Sequence, residues 1–402
     1  MFLLRPMVLF ALYAGLLSTP TYAVAAAHQT VPGIPSAFQT KQMGKYSIVL
    51  RTPPEGIYAG EAIDVEFRVS DTSKVDPVFG ATGVRNVQSK VIITMPEMAS
   101  MPESRPKIHT EGVPGDYGIE CFFPHGGEYK LDFILTIPGE RSPLRVSYLV
   151  DVLDEAPAGK RKGAVKPYTV DVKSKSTPKS NDPTLLQFSV RDTKSRALVR
   201  EFDIAHTKPF HLLMVSKDLS WYAHEHPEQQ PDGTFQHQQT FPAGGLYYLY
   251  ADVAPRNAGS QILMTSIKVN GPTRPPVALI PSGTTMTVSN MKAVLGGTAR
   301  LPIGKGAQVT FQLTDTGTGD AITDLEPYLG AYGHLIIIHA DGQTVVHSHP
   351  AEDETGIAQS KRGIVAFNAR IPKPGIYKIW GQFQRAGSVI TIPFVISVGG
   401  VK

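Results

Sequence analysis

A chain of 402 residues with 42% hydrophobic and 8% aromatic side chains holds enough apolar material for more than one packed core, which argues against global disorder. Charged residues are sparse at 18%, while Pro (33) and Gly (37) are plentiful, a balance that suits many short strands and tight turns rather than long surface helices. The formal charge of +4 sits mainly in one Lys-rich segment and argues against nucleic-acid binding.

The first 25 residues read as a secretory signal peptide. Arg5 gives a basic start, Met7–Leu17 an apolar stretch, and Thr21-Tyr22-Ala23 or Ala23-Val24-Ala25 a small-residue cleavage site. The apolar run is shorter than the ~20 residues a membrane span needs, and no Cys follows it to carry a lipid. The mature chain is therefore expected to be periplasmic or secreted, with no membrane span. Cleavage after Ala25 leaves Ala26-Ala27-His28, whose amine, amides and imidazole suit square-planar Cu(II) or Ni(II). Cleavage after Ala23 removes that site.

Residues 44–153 read as the first of three copies of one domain. Its marker is the alternating strand Val65-Glu-Phe67-Arg-Val69-Ser-Asp71-Thr72, which ends on an Asp-Thr turn. The pattern returns in residues 167–270 as Leu186-Gln-Phe188-Ser-Val190-Arg-Asp192-Thr193, and in residues 284–399 as Val309-Thr-Phe311-Gln-Leu313-Thr-Asp315-Thr316. Phe67 to Phe188 is 121 residues and Phe188 to Phe311 is 123. Solenoid units run only ~20–50 residues, so each copy is a separate domain.

A second landmark keeps the same order. Phe123-Pro-His125-Gly-Gly-Glu-Tyr129 matches Phe241-Pro-Ala-Gly-Gly-Leu-Tyr247 and, more loosely, Ile371-Pro-Lys-Pro-Gly-Ile-Tyr377. Pro and Gly make a turn, and Tyr opens the next strand. Each copy holds some seven short strands in about 100 residues, so the expected fold is all-β: three tandem immunoglobulin-like or fibronectin-like β-sandwich domains after a signal peptide. Linkers rich in Lys, Pro, Ser, Ala or Gly fall at 154–166, 173–182 and 271–283. The single Cys121 alternates with Ile119 and Phe123; it has no partner for a disulfide and reads as a small core hydrophobe.

The first copy carries Met95-Pro-Glu-Met98-Ala-Ser-Met101-Pro, then His109 and His125. Thioethers are soft ligands that favour Cu(I), and three of them in a proline-broken segment resemble a partly exposed copper-capture loop. Packing of adaptable methionines onto the end of a sandwich is the bland alternative.

The second and third copies share a sharper feature. Phe210-His211-Leu-Leu-Met-Val-Ser-Lys-Asp-Leu-Ser-Trp-Tyr-Ala-His224-Glu-His226-Pro matches Gly333-His334-Leu-Ile-Ile-Ile-His339-Ala-Asp-Gly-Gln-Thr-Val-Val-His347-Ser-His349-Pro. In both, the later histidines stand 13 and 15 residues after the first. Asp341-Gly342 is the favoured centre of a two-residue type I′ hairpin, which sets Ile336 opposite His347 and His334 opposite His349. A turn centred on Asp218-Leu219 sets Leu213 opposite His224 and His211 opposite His226. Residues opposite one another, or two apart on one strand, share a face, so three imidazoles converge in each copy. This is the geometry of a three-histidine metal site, with metal–nitrogen bonds of about 2.0–2.1 Å. Both strands are apolar on both faces, which also fits central strands ending in a structural His. His339 has no counterpart and is incidental; His237 is a possible fourth ligand in the second copy only.

These residues resemble a known family. The first copy, with Met95-Pro-Glu-Met98, Met101-Pro, Gly115-Asp-Tyr117-Gly and Phe123-Pro-His-Gly-Gly-Glu-Tyr129, resembles the YtkA-like domain, related to FixH-type proteins. The later copies look like the repeats that accompany it in exported bacterial proteins. The resemblance covers most of the mature chain. It implies a periplasmic β-sandwich in a setting of copper and heavy-metal handling. At matching positions it points to Met95, Met98, Met101 and His109, and to the two triads.

The leading expectation is a periplasmic metal-binding protein, with copper first and zinc second, that captures, buffers or passes on its ion to another periplasmic metal-handling protein. The alternative is a metal-free structural or protein-interaction module of the cell envelope. An enzyme is not expected. Glu225 alternates away from His224 and His226, and the sequence shows no Gly-x-Ser-x-Gly elbow, phosphate loop or Cys–His arrangement.

Overall fold

Alternation along the three marker strands buries one face of each, and Phe67, Phe188 and Phe311 are fully buried. Burial of one such ring contributes about 1.5–3 kcal/mol. In the computed structural model, which describes residues 38–53, 56–76, 80–98, 101–154, 166–350 and 354–400, the strands form six sheets, two to each copy. The leader, Ala26-Ala27-His28 and the interior of the 154–166 linker lie outside the described residues.

The chain is all-β, with β-sandwich architecture in each copy. In the first copy, a sheet ordered Phe38–Met43, Tyr46–Arg51, Ala62–Asp76, Asp116–Phe122, Ile108–Thr110 faces one ordered Ile57–Tyr58, Leu144–Leu153, Gly127–Thr136, Gln88–Thr94. The first sheet begins ahead of residue 44, because Phe38–Met43 folds back on Tyr46–Arg51 as a largely exposed edge strand. Such a strand has no apolar alternation to announce it. Each copy has its own core, led by Phe67, Phe123 and Phe133 in the first, Phe188, Phe210 and Phe235 in the second, and Phe311, Phe367 and Phe383 in the third. Cys121 belongs to the first core, where burial pushes its thiol pKa up. Among the described residues, no helix is long and apolar enough to cross a membrane.

The second landmark has one physical basis in all three copies. The hydroxyl of Tyr129 donates to the carbonyl of His125 (3.1 Å), that of Tyr247 to Ala243 (2.9 Å) and that of Tyr377 to Lys373 (2.7 Å). This is the tyrosine corner of immunoglobulin-like sandwiches. The chain reaches it through Gly127, Gly245 and Gly375 at φ of 138°, 138° and 150°, values only glycine adopts without strain.

The described residues belong to one compact unit, and the second and third copies share a fourth core. Leu212 and Met214 point into the second copy's own core, while Leu213 and Val215, one step along, join Leu219, Tyr250, Ile336, Ile338 and Trp380 in a seam between the copies. The double-sided apolar character of strands Phe210–Ser216 and His334–His339 is therefore that of sheets buried on both faces, one against a sister domain. The 271–283 linker is tied down beside this seam, where Val277 N donates to Asp218 Oδ2 (2.9 Å) and Ser282 N to the carbonyl of Val395 (2.9 Å). The first copy docks through Arg370 Nε to Asp154 Oδ2 (2.9 Å) and Arg105 N to the carbonyl of Asn257 (2.7 Å).

Candidate metal centre

Each triad stands on a hairpin whose pairing follows the sequence register: Leu213 faces His224 and Ile336 faces His347. The turns differ from expectation. Ser216 N donates to the carbonyl of Trp221 (3.1 Å) and His339 N to that of Thr344 (3.0 Å), which leaves loops of four residues. Leu219 and Gly342 occupy the left-handed position at φ of 55° and 69°. A four-residue loop about the same centre has the parity of a two-residue one, so every side chain keeps its face. Paired positive-φ turns lie elsewhere, among them His206-Thr207 (43°, 68°), Leu329-Gly330 (52°, 83°) and Ala386-Gly387 (47°, 72°).

Because His211 and His334 alternate in step with Leu213 and Ile336, both triads open into the seam. Ring centroids of His224 lie 5.5 Å from those of both His334 and His347, and His211 lies 5.8 Å from His347. Potential ligand atoms of His211, His224 and His226 all lie within 4.8 Å of one another, as do those of His334, His347 and His349. The two triads are neighbours.

Hydrogen bonds fix which nitrogen each ring turns inward. His211 Nε2 lies 3.0 Å from the carbonyl oxygen of Ala205, and His334 Nε2 2.9 Å from that of Tyr328. A carbonyl only accepts, so these rings carry their proton on Nε2 and present a lone pair at Nδ1. The middle histidines are held the other way round, each by the opposite copy. His224 Nδ1 donates to Gln382 Oε1 (2.8 Å) and His347 Nδ1 to Asp252 Oδ2 (2.8 Å). The Gln382 amide is oriented by its own donation to Thr391 Oγ1 (3.1 Å) and by the Tyr222 hydroxyl, which donates to Oε1 (3.1 Å).

In the second copy, the Nδ1 of His211 and the Nε2 of His224 consequently face each other at 3.3 Å with two lone pairs. Two nitrogens bound tetrahedrally to one ion at about 2.0–2.1 Å stand about 3.3–3.4 Å apart. The Nε2 atoms of His226 and His347 are buried with no hydrogen-bond partner among the described residues. In the third copy, His349 Nε2 and His334 Nδ1 lie 2.9 Å apart, the length of a hydrogen bond, and His349 donates there. The donor set fits an ion that favours imidazole.

Burial disfavours the charged form of His211, His224, His226, His334 and His349. It holds the pKa values of His224, His334 and His349 well below the usual imidazole range, helped by the neighbouring His347. His211 is lowered for the same reasons, His226 is pushed down to about 3, and His206 to about 4. For Asp252, burial works against ionisation, but the hydrogen bond from His347 outweighs it, and its pKa lies below the ordinary carboxylate value.

The family described as "Domain of unknown function (DUF8832)" matches residues 163–270 and again residues 286–400, together more than half of the chain. The chain belongs to the DUF8832 family. Each matched segment holds one triad and its hairpin. A comparison with curated proteins gives no match. Among solved structures, the chain is similar to invasin, a bacterial integrin-binding protein, at 12% identity, covering 88% of this chain and 60% of that one, with a TM-score of 0.20. It is similar to the D00-D0 domain of intimin at 13% identity, covering 56% and 100%, with a TM-score of 0.18. Elastase-activated alpha-2-macroglobulin of Escherichia coli follows at 9% identity, 90% and 35% coverage, and a TM-score of 0.19. The chain thus spans 60% of the length of the invasin chain, and likeness at this level says nothing about what it binds.

Three residues of the DUF8832 seam escaped the sequence reading: Asp252, Gln382 and His206. Asp252 stands 11 residues after Phe241, and Gln382 stands 11 after Ile371, so the repeat landmark already paired them. His206 crosses from the second copy to stack on His349, with ring centroids 3.5 Å apart. His237 lies in the other sheet of its copy with Nε2 3.3 Å from Gln239 Oε1, outside the triad. His339 closes its loop, where its Nδ1 lies 2.9 Å from Asp341 Oδ1.

The first copy separates residues that the sequence groups together. Met95 is only 5% exposed, while Met98 and Met101 are half-buried and pack against the same core. A turn closed by Met98 N on the carbonyl of Met95 (2.9 Å), and pairing of Ser104 with Ile93, fold the segment onto the sandwich. His109 lies on the opposite sheet, exposed, with its Nε2 2.7 Å from Glu111 Oε1 and 3.5 Å from Asp64 Oδ2. His125 is the residue that meets the methionines. Met95, Met98 and His125 line a cavity of about 450 Å³ with Tyr250 and Met264 of the second copy and His347 of the third.

Proposed function

We propose that this is an exported metal-binding protein, one that holds an ion, copper first and zinc second, at the histidine triads and buffers it or passes it on. One observation carries the reading. Two imidazole lone pairs, each fixed by a hydrogen bond at the far nitrogen, point at each other across 3.3 Å in a buried seam. Such an arrangement repels until a cation lies between, and outer partners that fix the ring are the usual support of metal-binding histidines. The thioethers of Met95, Met98 and Met264 around the cavity that reaches His347 suit the approach of a soft ion such as Cu(I). Nothing in this reading asks for a catalytic step.

The test is titration of the leaderless full chain with Cu(I), kept anaerobic, and with Zn(II), each against a competing chelator. More than one equivalent is expected to bind with histidine-dependent affinity. A His224→Ala/His226→Ala/His347→Ala/His349→Ala variant is expected to lose that uptake. Unchanged uptake by the variant removes the triads from the account, and no uptake by either chain leaves the structural-module alternative.

A further inference from the structure

The two triads are alike in ligands and unlike in what holds them. Asp252 and Gln382 occupy equivalent places: Asp252 pairs with His211 on strand Gly245–Pro255, and Gln382 pairs with His334 on strand Gly375–Arg385. Each reaches across the seam to the middle histidine of the other copy at 2.8 Å. The third-copy triad is thus backed by a carboxylate and the second-copy triad by a neutral amide. Ser260 Oγ also donates to the Asp252 carboxylate, at a long 3.5 Å. Among the described residues, the carboxylate's one short bond is to His347, while His211, His206 and His125 feel its charge only through space.

Resting on the metal reading of the triads, we propose that the seam is one centre for two unlike ions, in which Asp252 makes the third-copy triad the tighter site for a divalent ion and Gln382 leaves the second-copy triad suited to a monovalent one. The physical basis is charge. Three neutral imidazoles bring no negative charge to the ion, and a carboxylate on the far nitrogen makes the ring a stronger donor and offsets a second positive charge. An amide orients the ring without doing either. Crossing of the two bonds between copies also means that each site is complete only while the seam is closed. Asp252 and Gln382 are positioning residues that touch no ion.

The experiment uses the full chain with Zn(II) as the divalent probe and Cu(I), kept anaerobic, as the monovalent one. The unmodified chain is expected to bind two Zn(II) ions with separate affinities. Asp252→Asn, which keeps an acceptor for His347 and removes the charge, is expected to weaken the tighter Zn(II) affinity 10–100-fold. The weaker Zn(II) affinity and the Cu(I) affinities are expected to stay nearly constant. Gln382→Glu is expected to strengthen the weaker Zn(II) site and narrow the gap. A merely structural role would weaken Zn(II) and Cu(I) together in Asp252→Asn. That result, or unchanged Zn(II) affinities in both variants, overturns the proposal while leaving the triads as metal sites. Absence of any uptake by the unmodified chain removes the metal reading itself, and this proposal with it.

Discussion

Replacing His347 by alanine is expected to destabilise the metal-free protein more than replacing His224, although the two rings are equivalent by repeat. His347→Ala leaves the Asp252 carboxylate, with 16% of its side chain exposed, facing the seam without its 2.8 Å donor. A buried group left without its partner costs about 1–3 kcal/mol, and a charged one more. His224→Ala leaves the neutral Gln382 Oε1, which still accepts from the Tyr222 hydroxyl at 3.1 Å. That substitution is expected to stay near 1 kcal/mol in hydrogen-bond terms, plus the cavity cost common to both. Denaturant unfolding of the two single variants and of His347→Ala/Asp252→Asn checks this. The second substitution is expected to recover part of the loss, because it removes the uncompensated charge. Equal losses in the single variants would show that Asp252 is not held by His347.

Acid is expected to weaken the fold well before the carboxylates titrate. His206, His211, His224, His226, His334 and His349 all have pKa values lowered by burial, to about 4 for His206 and about 3 for His226. In the unfolded chain each takes up a proton near pH 6.5. Below that pH the unfolded state binds more protons, so stability rises with pH there; it is complete above about 6.5 and is lost as pH falls toward 4 and 3. Each ring still neutral in the fold contributes about 1.4 kcal/mol per pH unit, so several together make a steep slope. Thermal unfolding between pH 7.5 and 4.5 is expected to show a large fall in Tm, flattened in a His226→Gln/His349→Gln variant. Metal affinity should fall over the same range, because protons compete for the same nitrogens. A Tm independent of pH across that window would mean the histidines are not buried neutral.

Much of this was legible from the residues. The marker strands, the Pro-Gly-Tyr corner and the convergence of each triad follow from period-two alternation and hairpin parity, which survive an error in turn type. The turn type itself did not follow. Leu219 adopts a left-handed conformation because its side chain is fully buried in the seam, and that is a tertiary choice with no local signature. The seam was hidden for a related reason. Leu213, Val215, Ile336 and Ile338 look the same in sequence whether they meet a sister domain or a layer of their own. The methionine segment read as partly exposed because Pro96 and Pro102 break its pattern; Met98 and Met101 are half-buried, and the bridges from Ser104 to Ile93 and Ala258 that hold the segment down have no local signature. Asp252 and Gln382 were visible as polar residues in matched, otherwise apolar strands, but their partners lie 95 and 158 residues away.

X-ray absorption at the metal edge of the Cu(I)-loaded full chain tests the central claim most directly. The account predicts a first shell of about three nitrogens per ion near 2.0 Å, with the outer-shell scattering of imidazole rings, lost in the variant lacking His224, His226, His347 and His349. A shell dominated by sulfur, or one of oxygen with no imidazole signature and no dependence on those four residues, would contradict it.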